Sequence, residues 1–299
     1  MELHQLRYLV AIAETGNFTR AAQRTNVTQP SLSQQIMKLE RELGHKLFHR
    51  MGRRAVPTGA GTAFLERARR ILAEVDDATR DLRDDPHALR RISVGASNTI
   101  APFLLPRLLT RCRELHPHLQ VETRENFRSQ LAHAVGEGEL ELAIISLPVN
   151  DRRLSVEPVF HEPLLLVVGK DHRLATKPRV TPADLANEIF ILTGDGSSLA
   201  EQIQRFCGDH DFEPHVGHLC AQIATVKALV SLGAGISILP LMVRAPEDTQ
   251  SLVYRNLAGR APKRTIHVLR HLQRYQSRGT EQLLAVLRET LSSLPKKAG

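Results

Sequence analysis

The stretch GNFTRAAQRTNVTQPSLSQQIMKLERELG, residues 16–44, predicts two helices joined by a tight turn. Asn17 is a good N-cap for the first helix, because its side chain can accept a hydrogen bond from a backbone N–H of the first turn. Ala21 and Ala22 follow at helical spacing, and their small side chains let another helix approach closely. We expect this first helix to end near Thr25.

The second helix of this stretch has one apolar face and one polar face. Thr28 is its N-cap residue, and Pro30 fits the first turn, where a missing backbone N–H leaves no hydrogen bond unmade. The apolar stripe consists of Leu32, Ile36, Leu39 and Leu43. The polar face carries side chains that form hydrogen bonds and have little charge, namely Gln29, Ser31, Ser33, Gln34, Gln35 and Lys38. Such a face suits the reading of base edges in a DNA major groove.

A polar helix face can also be a solvated surface, and helical hairpins are common in all-α proteins. The flanking sequence favours DNA binding, because residues 3–13 supply a preceding helix and residues 44–58 form a basic segment. A three-helix core followed by a basic wing is a winged helix-turn-helix. The predicted DNA contacts are Thr28, Gln29, Pro30, Ser31, Ser33, Gln34, Lys38, Arg50, Arg53 and Arg54.

The runs NFTRAAQRTNVTQPSLSQQIMKLERELG and KLFHRMGRRAVPTGAG strongly resemble the DNA-binding domain of LysR-type transcriptional regulators. The resemblance extends from Leu3 to about Ala73 without an obvious gap. Gln34 departs from the family pattern, because many members have an arginine near the groove at this position. We therefore expect a difference in sequence preference or affinity there.

The net charge of +8 is unevenly distributed along the 299 residues. Residues 1–58 carry nine Lys and Arg against four Asp and Glu, whereas residues 92–258 carry 15 against 19. A basic N-terminal domain ahead of an acidic segment fits a DNA reader joined to a domain that stays off DNA. The basic segment 259–299 is interpreted as a solvated helix and tail rather than as a second DNA contact.

Neither a membrane span nor a secretory leader is expected, since the longest apolar runs, such as Leu164–Val168, have the length of strands. Three cysteines are an odd number in a chain of this length, which argues against a secreted disulfide framework. We therefore expect a cytoplasmic protein with no membrane partner.

Residues 62–84 contain a heptad seam of three repeats that no proline interrupts. The seam consists of Leu65, Ala68, Leu72, Val75, Thr79 and Leu82. This stripe can pack on its own domain, but the LysR resemblance implies a linker helix through which subunits pair. The predicted dimerisation contacts are Leu65, Leu72, Val75 and Leu82. The expected assembly is a homodimer or a homotetramer.

Beyond residue 91 the pattern alternates strands and helices, which predicts an α/β fold in two lobes. Lobe I should span about residues 92–161 and 266–294, and lobe II about residues 162–265. This region is also similar to the effector-binding domain of LysR-type regulators, which itself resembles a periplasmic binding protein. The fold is therefore α/β overall, with a winged helix-turn-helix at 1–58, a coiled-coil linker helix and hinge at 59–91, and an effector domain at 92–299.

Two α/β lobes create a cleft at the carboxyl ends of their strands, where helix N-termini present free N–H groups. Small side chains that form hydrogen bonds lie near these predicted helix starts and strand ends. The candidate effector contacts are Asn98, Thr99, Ser129, Ser146, Ser198 and Gln222. Each alone can be a helix cap, but as a set they favour a small ligand that is polar and either uncharged or anionic.

The segment GDGSSLAEQIQRFC, residues 194–207, resembles the redox segment of the peroxide-sensing branch of LysR-type regulators. That branch has a cysteine where this chain has Ser198, and a second cysteine at the position of Cys207. A serine cannot be oxidised to a disulfide, so the switch of that branch cannot operate here as written. Cys207 and Cys220 stay candidates for an oxidant-responsive site, although Cys207 is also typical of a buried apolar residue.

No metal or cofactor site is predicted. His215, His218 and Cys220 are close in sequence, but an odd spacing sends the two histidines to opposite faces of a strand. The chain also contains no nucleophile elbow, zinc-protease helix or phosphate loop, so no enzyme is predicted.

The predicted function is a DNA-binding transcriptional regulator controlled by an unidentified small-molecule effector. Its expected partners are double-stranded DNA, the effector and a second copy of the chain, and the LysR resemblance adds RNA polymerase. A thiol-based, oxidant-responsive regulator on the same scaffold is the alternative.

Overall fold

The computed structural model describes residues 1–51, 54–82, 90–194, 196–259 and 261–294. The chain divides into two units, Met1–Ala88 and Leu89–Gly299. The N-terminal unit consists of helices and a hairpin, and the C-terminal unit mixes strands and helices. Among the described helices, none combines the length and the apolar character that a membrane crossing requires.

The N-terminal unit is a winged helix-turn-helix, as predicted. Its elements are α1 (Leu3–Thr15), α2 (Phe18–Arg24), α3 (Gln29–Leu43), β1 (Phe48–Met51), β2 (Arg54–Pro57) and α4 (Gly59–Leu82). The apolar helix faces meet in one core, in which Leu9, Leu32 and Ile36 are fully buried. Strands β1 and β2 pair antiparallel and form the wing.

Side-chain caps fix the starts of α2 and α3. Asn17 Oδ1 accepts hydrogen bonds from the N–H groups of Thr19 and Arg20, at 2.8 and 3.1 Å. Thr28 Oγ1 accepts a hydrogen bond from the N–H of Ser31 at 3.4 Å. These N–H groups have no partner within the helix itself. The two predicted caps are therefore confirmed.

A buried glutamate attaches the wing to α3. Glu40 Oε1 accepts a hydrogen bond from the N–H of Leu47, and Oε2 accepts one from the ammonium group of Lys46, both at 2.9 Å. The N–H of Ala55 on β2 donates to the carbonyl oxygen of Gly16 at 2.9 Å. These bonds hold the wing in a fixed position relative to the helix-turn-helix.

Helix α4 turns the first part of its apolar seam toward its own unit. Leu65 is only 8% exposed and Ala68 is fully buried in the core that α1 to α3 form, and Leu72 packs against that core. The prediction of Leu65 as a dimerisation contact is wrong, because residues of its own unit already cover it. Packing within the domain was the alternative interpretation of the seam, and it holds for this part of the helix.

The C-terminal unit alternates strands and helices in the predicted order, with differences at element ends. Its elements are β3 (Arg90–Ser97), α5 (Ala101–Leu115), β4 (Leu119–Asn126), α6 (Arg128–Glu137), β5 (Leu142–Ile145), β6 (Leu154–Gly169), β7 (Ile189–Thr193), α7 (Ser198–Gly208), β8 (His215–Cys220), α8 (Ile223–Ser231), β9 (Ser237–Pro240), β10 (Leu252–Arg255), β11 (Lys263–His271) and α9 (Arg278–Ser292). Between β6 and β7, Pro182–Leu185 form a short 3-10 turn.

Strands β6 and β11 connect the two lobes. The main sheet has the order β10-β6-β11-β5-β3-β4, and β9 also pairs with β6. Strand β6 pairs with β11 over its first part and with β9 and β10 over its last part. Lobe I thus contains β3, β4, β5, α5, α6 and α9, and lobe II contains β7 to β10, α7 and α8.

Strand β6 begins at Leu154, well before the apolar run at 164–168 that predicted a strand. Its first part is half exposed and has mixed polarity, so it carries no continuous apolar signal. Only the second part is buried on both faces, because there it lies between β9 and β10. The long strand therefore follows from pairing with β11 rather than from local pattern.

Candidate functional site

The first turns of α3 present an exposed polar surface. The residues of this surface are Thr28, Gln29, Pro30, Ser31, Gln34 and Lys38. Ser33 does not belong to it, because it is only 7% exposed. The buried face of α3 includes Leu32, Ser33 and Glu40 and is wider than the apolar stripe indicates. The prediction that Ser33 lies on the exposed face is therefore wrong.

A glutamine pair positions α3 on α1. Gln5 is fully buried, and its Nε2 donates to Oε1 of Gln35 at 3.0 Å. Its own Oε1 accepts a hydrogen bond from the N–H of Glu2 at 2.9 Å. Sequence reasoning missed Gln5, since a single glutamine in an apolar stripe does not indicate which residue it will meet. The side chain of Gln35 is held toward α1, which leaves Gln29 and Gln34 as the glutamines of α3 that are exposed.

The wing adds positive charge. Arg54 on β2 is exposed and opposes Met51 in the hairpin register. Arg53 lies outside the described residues, and so does the side chain of Arg50. An exposed guanidinium on a wing is suited to contact a phosphate without reading sequence.

A cavity of about 270 Å³ lies between the two lobes. Lobe I contributes Ser97, Asn98, Thr99, Phe127 and Arg128. Lobe II contributes Thr193, Gly194, Gly196, Ser197, Ser198, Leu219, Cys220, Ala221 and Ile223. Of the predicted effector contacts, Asn98, Thr99 and Ser198 thus lie together in one cleft.

Two predicted effector contacts lie at helix starts but face solvent. Ser129 is exposed and does not line the cleft, because α6 begins at Arg128 and this earlier residue takes the position at the cleft. Gln222 is also exposed, and the cleft is lined instead by its neighbours Ala221 and Ile223. The structure therefore does not place these two side chains in the cleft lining, although each predicted helix start is correct to within two residues.

Ser146 is a structural contact rather than a lining residue. It is buried at the end of β5, and its Oγ accepts a hydrogen bond from Nε2 of Gln202 at 3.4 Å. Gln202 belongs to α7 and also donates to the carbonyl oxygen of Ser198 at 2.8 Å. Ser146 thus forms a contact between the lobes and is not among the residues that line the cleft.

A buried ion pair on the two connecting strands adjoins the cleft. Arg264 on β11 donates from Nε to Oε1 of Glu162 on β6 at 2.6 Å. The guanidinium also donates to Oγ1 of Thr99 at 3.2 Å, and Glu162 Oε2 accepts the N–H of Met242 at 2.9 Å. Burial lowers the pKa of Arg264, and the charge of Glu162 opposes that shift. The pair thus links Thr99 in lobe I to the chain after β9 in lobe II.

The cysteines are free thiols in buried positions. Cys207 is fully buried, and burial raises the pKa of its thiol to about 12. Burial also raises the pKa of Cys112 to about 11, and this residue is packed in the core of the C-terminal unit. Cys220 lines the cleft, and burial raises its pKa as well. High thiol pKa values disfavour the thiolate that reacts with oxidants.

A β-bulge changes the geometry expected for the histidines of β8. The register pairs His215 with Ile189 and His218 with Ile191, which leaves Gly217 as the extra residue. The bulge therefore returns the two histidines to one face of the strand, and the prediction that they lie on opposite faces is wrong. Even so, among the described residues no group of three His, Cys, Asp or Glu side chains is arranged to hold a metal ion.

Residues 3–62 match the family described as bacterial regulatory helix-turn-helix protein, lysR family, and residues 87–292 match the LysR substrate binding domain. The chain belongs to the LysR family.

Similar proteins include transcriptional regulators, some of which are named hydrogen peroxide-inducible genes activator. The chain is 32% identical to the DNA-binding transcriptional dual regulator OxyR of Escherichia coli, with 89% of this chain and 88% of OxyR covered. It is 30% identical to the uncharacterised regulator YcgK of Bacillus subtilis, with 97% and 95% covered. Full-length OxyR of Pseudomonas aeruginosa, solved as a cysteine-to-aspartate variant, shares 27% identity at a TM-score of 0.73, with 98% and 95% covered.

The buried pair of this LysR-family chain leads to a prediction about stability. Glu162→Ala should lower the free energy of unfolding of the C-terminal unit by about 3–5 kcal/mol, because it leaves the Arg264 charge buried without a partner. Arg111→Ala removes a surface ion pair with Glu289 and should leave stability nearly unchanged. Differential scanning calorimetry of the full chain measures both. Equal, small effects of the two variants would contradict a structural role for the buried pair.

Proposed function

We propose that this LysR-family transcriptional regulator reads duplex DNA with α3 and the wing, and that a small molecule bound between the lobes controls it. One observation carries the proposal, namely that a single chain combines two features. The first is a capped helix whose exposed, uncharged side chains can form hydrogen bonds, and the second is a cleft between two α/β lobes. A bacterial regulator of this kind acts in the cytoplasm, where the chromosome lies. Contact with RNA polymerase stays a prediction from the family resemblance.

The DNA roles follow from side-chain chemistry. Gln29 and Gln34 are exposed on α3, and a glutamine amide can donate to and accept from the same adenine edge. Lys38 and Arg54 are exposed cations that suit phosphate oxygens. Base edges determine which sequence is bound, whereas phosphate contacts act on every sequence alike.

This division of roles gives a test on DNA duplexes that the protein selects from a random pool. Gln29→Ala should lower discrimination between the selected and a scrambled duplex by about 1–3 kcal/mol, because one base contact is lost. Arg54→Ala should weaken binding to both duplexes equally. It should also reduce the salt dependence of the affinity by the amount that corresponds to about one phosphate contact. Fluorescence anisotropy at several salt concentrations separates the two effects.

Gln120→Ala and Arg107→Ala serve as matched controls, because both residues are exposed on lobe I in the other unit. They should change neither affinity nor salt dependence. The proposal is wrong if Gln29→Ala and Arg54→Ala behave like these controls.

The cleft supports the effector role through its size and its polar groups. Its volume of about 270 Å³ is slightly below the range of drug-sized pockets and suits a small metabolite. The hydroxyl of Ser97 and Oδ1 of Asn98 are buried and have no hydrogen-bond partner among the residues that the structure describes. Because buried polar groups nearly always have partners, these atoms mark a place for a polar ligand.

A thiol-based switch is the second candidate function, and the similarity to OxyR proteins favours it. The chain itself supports it less well. Ser198 replaces the cysteine of the peroxide-sensing branch, and Cys207 is fully buried with its pKa raised. Cys220 is the thiol that lines the cleft, but burial disfavours its thiolate too. We therefore favour a bound small molecule as the signal.

We further propose that the chain pairs through α4. Phe64, Ile71 and Val75 recur at intervals of seven and four on a face beside the buried part of the seam. Ile71 is 38% exposed, although it is a large apolar residue. The side chain of Leu82, a predicted dimerisation contact, lies outside the described residues. A second copy of α4 would cover this face in a homodimer or a homotetramer.

Pairing through α4 predicts the effect of a charge at its exposed apolar residue. Ile71→Asp should turn the oligomer into monomers and weaken binding of a two-half-site duplex, because the two readers are no longer held together. Thr62→Asp places the same charge on the opposite, exposed side of α4 and should change neither property. Light scattering and duplex binding measure both. A parent protein that is monomeric, or an Ile71→Asp variant that stays oligomeric, would contradict the pairing.

A further inference from the structure

Arg128 is the cationic side chain among the described residues that line the cleft. It is the first residue of α6 in lobe I, and its side chain is 26% exposed. Its Nη2 donates to Oε1 of Glu201 at 3.1 Å. Glu201 lies in the first turn of α7 in lobe II. The ion pair therefore joins the two lobes beside the cleft.

Three helices with uncapped starts begin at this cleft. The N-cap residues Phe127 of α6, Ser197 of α7 and Gln222 of α8 provide no side-chain hydrogen bond to their helices. The hydroxyl of Ser197 is instead bonded to that of Thr193 at 2.7 Å. First-turn N–H groups without a cap carry partial positive charge and favour an anion.

Ser97 provides independent support for a ligand at the same place. The residue is only 5% exposed and lines the cleft, and its hydroxyl has no hydrogen-bond partner within the described part of the chain. A hydroxyl buried without a partner is unfavourable. A ligand oxygen that accepts a hydrogen bond from this hydroxyl would remove the unfavourable free energy.

We infer that the effector is a small monocarboxylate and that Arg128 selects it by exchanging Glu201 for the carboxylate of the ligand. This inference rests on the proposed effector role of the cleft. A guanidinium can donate two parallel hydrogen bonds to one carboxylate. Among the described lining residues there is one arginine, and its positive charge matches one carboxylate.

The rest of the cleft suits the body of such a ligand. Phe127 and Leu219 are apolar side chains that line the cleft and are still exposed, and Ile223 is a buried apolar neighbour. Covering exposed apolar surface with an apolar ligand body is favourable. The lining thus combines one anion-binding end with apolar walls, which fits a carboxylate on a hydrocarbon skeleton.

The exchange also connects ligand binding to the lobes. Glu201 competes with the ligand for Arg128, so a bound carboxylate removes an ion pair that joins lobe I to lobe II. The hydrogen bond between Gln202 and Ser146 is a second contact between α7 and lobe I. Binding therefore changes the balance of contacts between the lobes without needing a movement of the buried Glu162–Arg264 pair.

The test uses benzoate, hexanoate and cyclohexanecarboxylate, each compared with its amide, in isothermal titration of the full chain. At least one carboxylate should bind the parent at least tenfold more tightly than its amide. Arg128→Gln should weaken carboxylate binding at least tenfold, because a charge-assisted hydrogen bond is lost. Glu201→Gln should strengthen it about two- to fivefold, because a partly exposed competing ion pair is removed.

Arg124→Gln and Glu139→Gln are the matched controls, because these residues form a 2.8 Å ion pair on lobe I away from the cleft lining. Both should leave carboxylate binding unchanged. The inference is overturned if the amides bind as tightly as the carboxylates, or if none of the carboxylates binds either the parent or the Glu201→Gln variant. It is also overturned if Arg128→Gln does not weaken carboxylate binding or if Glu201→Gln does not strengthen it. Amides that bind the cleft and alter affinity for a selected duplex would overturn this inference alone and leave cleft regulation standing.

Discussion

The buried ion pair between Glu162 and Arg264 is the interaction on which the C-terminal unit depends most. It lies on β6 and β11, the two strands that continue from one lobe into the other. Two charges removed from water are tolerated only if each is paired and its remaining hydrogen bonds are made. Thr99 and the N–H of Met242 complete that set. These hydrogen bonds therefore fix the relative positions of Thr99 in the cleft, the strands β6 and β11, and the turn in lobe II that contains Met242.

Much of the N-terminal unit could be predicted because its signals are local. The side chains of Asn17 and Thr28 act within one turn of their own positions, and apolar spacing identifies the buried face of α3. Leu65 and Ser33 were misplaced because their surroundings are set by other elements. An apolar seam has the same sequence pattern whether it packs on its own core or on a second chain. Ser33 is next to Leu32 and is buried because the buried face of α3 is wider than its apolar stripe.

In the cleft, too, the sequence predicts the location of the site better than it predicts the individual side chains that line it. The position of the cleft at helix starts and strand ends follows from α/β topology, and Asn98, Thr99 and Ser198 do line it. Which residue of a helix start faces inward depends on the last turn of the chain before it, so Arg128 was missed while the adjacent Ser129 was chosen. The bulge at Gly217 likewise reversed a face that simple alternation predicts. The partners Glu162 and Arg264 are 102 residues apart, and no local pattern joins them.

The proposed control of DNA binding through the cleft can be tested by a covalent lock between the lobes, without knowledge of the effector. Arg128→Cys and Glu201→Cys, in a Cys220→Ser background, place thiols on the two sides of the ion pair, where a short bis-maleimide can join them. Affinity for a selected duplex is then compared before and after cross-linking, and the two proteins that carry only one of the introduced cysteines are the controls. A changed affinity in the double-cysteine protein only is the result predicted here. The same affinity in the open and the locked protein would contradict the claim.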